Sequence, residues 1–194
     1  VRYCDADLLD IVALECHRAD AYAVGEDLGT VEDRVRDELK DRGVLSYRLV
    51  WFEDKPPREY PEQALAAVTT HDLPTIAGLW TGTDLADQRE IGLEPNEEGT
   101  RELRQRLKKV AGVDDDAPVH EVVTATYDAL SNAPCMLLTA GLDDALGVEK
   151  RPNMPGTLDE WPNWRIALPV PLEEVETDPG PRAVAAALDR RTRS

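Results

Sequence analysis

The sequence predicts an α/β fold, half of an eight-stranded (β/α) barrel, and three observations lead there. Strand-like apolar runs alternate with stretches of helical periodicity, as in a parallel sheet with crossover helices. Four strand candidates are joined by such connections. The 194 residues fall short of the ~250 that a whole barrel takes. We read residues 1–194 as one portion of a catalytic domain rather than as several domains.

In chain order, residues 7–19 put Leu8, Leu9, Val12, Ala13 and Cys16 on one helical face. The run 21–25 is a short buried strand. Thr30 with Asp33 opens the next helix, on which Val31, Val35 and Leu39 stack, and Gly43 ends it. A second strand spans 44–52 and a third 64–70. Between them, 53–62 carries three prolines and six charges and reads as a loop beside the functional face. A polar helix is predicted over 97–111, with Leu103, Leu107 and Val110 inward and Glu102/Arg106 as an exposed pair. Another covers 118–132, buried through Val119, Val122, Val123, Thr126 and Leu130. The fourth strand is 135–139. Residues 151–181 are proline-rich but hold two of the four tryptophans, so an ordered, packed loop is expected. A last helix covers 182–192.

The formal net charge is −17. Phosphate backbones and anionic lipid both require basic patches, so neither nucleic acid nor a membrane surface is an expected partner. Three cysteines without CxxC spacing argue against a disulfide framework or a thiolate metal site and fit a cytoplasmic protein. No apolar run approaches the ~20 residues that cross a bilayer. The start at Val1, inside organised sequence, suggests a fragment of a longer chain.

Two strand candidates end in loaded tetrads, GEDL at 25–28 and THDL at 70–73. Carboxyl ends of parallel strands form the active face of such folds, which would gather Glu26, Asp27, His71 and Asp72. A cleft with several carboxylates suits glycosyl chemistry: one carboxyl protonates the leaving oxygen, another attacks the anomeric carbon, and others support the cationic transition state. Plainer readings exist for each. Glu26 or Asp27 serves equally as a helix cap, and His71 with Asp72 as a buried, satisfied pair. His17 and His120 read as ordinary helix residues, and no histidine spacing suggests zinc. No metal is called for, and other nucleophile readings fail as well, since GxSxG, GxGxxG and P-loop patterns are missing. Trp51, Phe52, Tyr60, Trp80, Trp161 and Trp164 include candidate sugar platforms, with core and loop packing as the default.

GEDLGTV, THDLPT and NMPGTLDEWPNWR, in this order, resemble the C-terminal part of the bacterial 4-alpha-glucanotransferases, also called amylomaltases or disproportionating enzymes. The resemblance runs from Val1 to about Arg165. It implies the C-terminal half of a (β/α)8 TIM barrel of the alpha-amylase clan, retaining and cofactor-free, moving alpha-1,4-glucan segments between maltooligosaccharide or starch-type donors and acceptors. It implies Glu26 as general acid/base, partly desolvated so that its protonated form is favoured, and Asp72 as stabiliser of the oxocarbenium-like state. His71 and Asn153 are implied as substrate contacts, and Phe52 as an aromatic lining the glucan groove. The family nucleophile, an aspartate in an arginine-x-aspartate-histidine motif, has no counterpart here, so it is expected upstream of Val1, in the missing N-terminal half that would be this chain's partner. The fragment is then expected to be inactive alone. The rival readings are a non-catalytic glucan-binding or decayed fragment, and a hydrolase of the same clan.

Overall fold

The computed structural model describes residues 41–189. The chain divides into two compact units, Val1–Leu45 and Ser46–Ser194, and the second contains the sheet and the helices packed on it. The predicted helix of 7–19, the strand of 21–25 and the start of the helix after Thr30 lie outside the described residues. Gly43 is within them, and its φ of 71° is the left-handed geometry that suits a helix-ending glycine.

Three strands, β1 (Ser46–Leu49), β2 (Ala64–Ala67) and β3 (Leu137–Leu138), form a parallel sheet in the order β1-β2-β3. Ser46 pairs with Ala64, Leu49 with Ala67, and Leu65 and Ala66 with Leu137 and Leu138. All three carboxyl ends therefore leave the sheet at one edge. Each strand is shorter than its apolar run. Val50 still donates to Ala67, but the amides of Phe52 and Glu53 both turn back onto the Leu49 carbonyl. After β2, Thr69 Oγ1 donates to the Pro74 carbonyl and Leu73 N to the Thr70 carbonyl, so THDL is a turn at the carboxyl end of β2 and the strand itself stops short of Thr70.

Helices α1 (Ile76–Thr81), α2 (Thr83–Glu90), α3 (Glu97–Ala111) and α4 (Val119–Ser131) make up the crossover from β2 to β3. Thr75 caps α1 by accepting from Gly78 N, and Asn96 caps α3 by accepting from Gly99 N. The expected bounds of α3 hold, and α4 differs from its expected span by one residue at each end. The Glu102/Arg106 pair does not form as expected: the Arg106 guanidinium crosses to the β1–β2 connection, donating to the Trp51 carbonyl at 2.7 Å and to Asp54 at 3.2 Å. That connection, with one 3-10 turn at Pro57–Glu59, lines a separate cavity with Gln105, Arg106 and Lys109.

After β3 come α5 (Leu142–Ala145), α6 (Leu172–Val175) and α7 (Pro179–Leu188). α7 starts three residues earlier than expected, because Asp178 accepts from Gly180 N as its cap and Pro179 fills the first helical position. α6 interrupts the long loop expected over 151–181. The core lies between the sheet and α1, α3, α4 and α7, built on Val50, Trp51, Val68, Ile76, Leu79, Leu107, Val122, Tyr127 and Leu130.

Candidate functional site

The turn after β2 presents His71 and Asp72 at the carboxyl edge of the sheet, with side chains 52% and 48% exposed, which rules out the buried-pair reading. Asp72 Oδ1 accepts from Asn153 Nδ2 at 2.7 Å, and His71 Nε2 lies 3.3 Å from Asp72 Oδ2. The amide of Asp72 leans on Thr70 Oγ1 at 3.4 Å. One carboxylate oxygen is thus fixed by a neutral donor, and the other sits beside an imidazole at the surface. That is a usable anionic group, oriented but open to a ligand.

Two further bonds join this turn to the segment after residue 150. Asn153 N donates to the His71 carbonyl at 3.2 Å, and Arg151 Nη1 to the Asp72 carbonyl at 3.1 Å. Arg151 is itself held by a two-pronged ion pair with Asp84 on α2, Nε and Nη2 each donating at 2.6 Å, and both side chains are buried. Gln88 adds a bond to Asp84 at 2.8 Å. Trp161, buried, donates its indole N–H to the Arg151 carbonyl at 3.1 Å. The backbone that carries Asp72 and Asn153 is therefore anchored to an interior charge pair.

Beside this cluster a cavity of about 210 Å³ opens between the ends of β2 and β3, bordered by Thr69, Thr70, His71, Thr139, Gly141 and Pro152. Asp144 and Tyr127 also line it. Asp144, fully buried, accepts from Ile76 N at 2.8 Å and from the Tyr127 hydroxyl at 2.9 Å, and burial outweighs these donors to push its pKa up to about 6.

Of the residues implied for the site, His71, Asp72 and Asn153 come together. Phe52 is 63% exposed just beyond the carboxyl end of β1 and takes no part in the bonds that join those three. Glu26 lies outside the described residues. Among the aromatics, Trp51, Tyr60, Trp80 and Trp161 are buried, as the packing default expects, whereas Phe52 and Trp164 are exposed. Sequence reasoning missed Arg151, Asp84 and the placement of Trp164, whose ring meets that of His71 at 4.8 Å. The arginine directly before PNMPGT is the one available signal; nothing in the sequence ties Asp84 to it. Among the described residues no group of three His, Cys, Asp or Glu is placed to hold a metal ion, and no helix is long and apolar enough to cross a membrane.

The described fold is α/β, and the candidate site residues His71, Asp72 and Asn153 gather at the carboxyl ends of its parallel strands. The chain belongs to the 4-alpha-glucanotransferase family, whose model matches residues 1–172. It is 39% identical to the 4-alpha-glucanotransferase of Mycobacterium tuberculosis over 223 aligned residues, covering 100% of this chain and 30% of that protein. The enzyme of the same name from Haemophilus influenzae is 30% identical over 195 residues, covering 89% of this chain and 28% of the relative. The chain thus spans about 30% of the length of the curated relatives it matches. Among solved structures, the amylomaltase of Corynebacterium glutamicum superposes with a TM-score of 0.71 at 29% identity, over 84% of this chain and 28% of that one. An amylomaltase from Streptococcus agalactiae in complex with acarbose matches with a TM-score of 0.50 at 17% identity, over 80% and 29%, a likeness of fold alone.

Proposed function

We propose that this chain is the C-terminal portion of a (β/α)8 barrel that transfers alpha-1,4-glucan segments by a retaining mechanism, with Asp72 as the carboxylate that stabilises the sugar cation. The observation that carries the reading is the Asp72 side chain itself: half exposed, at the carboxyl edge of the sheet, with one oxygen held by Asn153 at 2.7 Å. Its acceptor strength is directed outward. Bonds from sugar hydroxyls to the other, outward oxygen strengthen as positive charge develops at the anomeric carbon, which lowers the barrier selectively.

In this reading Glu26 protonates the glycosidic oxygen as a carboxylate from outside this chain bonds to the anomeric carbon, in the geometry of ~5–5.5 Å between the two carboxyls that retaining enzymes share. The same Glu26 then takes the proton of an acceptor hydroxyl, which attacks the anomeric carbon and expels the carboxylate. An acceptor sugar that displaces water from the site makes the outcome transfer rather than hydrolysis.

In an enzyme that contains this chain, Asp72→Asn should lower kcat for maltotriose disproportionation about 10²–10³-fold with the fold unchanged. Glu26→Gln should cost at least as much. Near-normal disproportionation by either variant would refute its role. The chain's span of about 30% of its relatives favours a second reading for the isolated polypeptide, saccharide binding without product formation.

A further inference from the structure

We propose that Trp164 is an aromatic platform for a pyranose ring next to the one held at Asp72, so that it reads the length of the bound saccharide; this rests on the glucan-binding reading above. Each of the three other tryptophans is buried and spends its indole N–H on a backbone carbonyl: Trp51 on Pro74, Trp80 on Ala117 and Trp161 on Arg151. Trp164 is 66% exposed, and among the described residues its indole N–H has no acceptor. Packing does not account for it.

Its backbone is also unusual. Trp164 has φ 60°, the one positive value among the described non-glycine residues, a conformation that a bulky side chain adopts only at a cost. Flanking bonds impose it. Trp164 N donates to the Pro152 carbonyl at 2.9 Å, and Asn163 ties its side chain to Met154 N at 2.8 Å and to Thr157 Oγ1 at 2.9 Å. The consequence is an indole set against the imidazole of His71, ring centres 4.8 Å apart and planes at 47°, and that imidazole in turn has its Nε2 3.3 Å from Asp72 Oδ2. The C–H face of a pyranose packs on such a ring, and the free N–H can donate to a hydroxyl. The turn thus holds a strained, wet aromatic beside the His71–Asp72 pair, where a second sugar unit would lie.

Glycine adopts φ 60° freely, which separates a structural role from a binding one. Trp164→Gly should keep or raise the melting temperature of the chain, yet weaken maltotetraose binding, followed by calorimetry, on the order of tenfold, the equivalent of one lost stacking face. Maltotetraose should also protect the wild-type chain, whose other tryptophans are buried, from fluorescence quenching by acrylamide. A lower melting temperature for Trp164→Gly would make the residue structural and overturn the proposal. So would unchanged affinity in Trp164→Gly while Asp72→Asn weakens binding, a result that leaves the glucan reading standing. No maltotetraose binding by the wild-type chain would overturn both.

Discussion

Arg151 decides where Asp72 stands, although it touches only its backbone. The Arg151–Asp84 fork is buried at 9% and 2% side-chain exposure, so each charge depends on the other for compensation. Arg151→Met strands Asp84 and should lower unfolding free energy, measured in urea, by about 3–5 kcal/mol. The double variant Arg151→Met/Asp84→Leu removes both charges and should recover most of that loss. A single-variant loss no larger than the ~1 kcal/mol of a surface pair would show that the fork is not the anchor described. His71, Asp72 and Asn153 were legible because their motifs are contiguous strings. Arg151 and Asp84 were not, because a fork between residues 67 positions apart leaves no local pattern. Trp164 was legible as an aromatic but not as an exposed one, since exposure depends on a turn whose bonds are set by Asn163.

At the scale of elements, α1 rests directly on the segment that leads to Arg151. Thr75, its cap, also donates to the Glu149 carbonyl at 3.1 Å, and the Thr83 hydroxyl bonds the Glu149 carboxylate. Gly78 faces the same carbonyl so closely that a Cβ there would overlap it. Gly78→Ala should therefore destabilise by about 1–3 kcal/mol despite alanine's higher helix propensity, visible in a thermal melt. An unchanged or higher melting temperature would show that α1 and the segment are not in contact. The helices differ in how legible they are. α3 and α4 bury an apolar stripe, and their periodicity locates the ends to within a residue. α2 buries Asp84 and Asp87, so its inward face is polar and no hydrophobic period marks it. The strands are shorter than their sequence pattern because Val50, Trp51, Val68 and Thr69 are apolar or β-prone, yet their backbones already turn.

For the molecule as a whole, Asp144 links the start of α1, the Tyr127 hydroxyl of α4 and, through that hydroxyl, Gly141 N at 3.1 Å. Its carboxyl is raised from 3.8 to about 6 by burial. Between those values the folded state keeps a proton that the unfolded state releases, so stability falls as pH rises through the window, by roughly 3 kcal/mol, and levels off above it. Asp143 and Asp87, also raised by burial, act in the same direction. Asp144→Asn should flatten the dependence that belongs to Asp144, measured as urea midpoints from pH 4 to pH 7. Parallel curves for the two proteins would refute the assignment. The α/β class, the parallel sheet and the edge on which the acid sits were all legible, since alternation of runs encodes them; the carboxylate network beneath was not, since it depends on three elements meeting. The bonds that Arg151 and Asn153 make to Asp72 reach across 79 and 81 positions of sequence. A loop of that span must close before the acid acquires either donor, so its geometry is completed late in folding and cannot be reproduced by a peptide cut from either side.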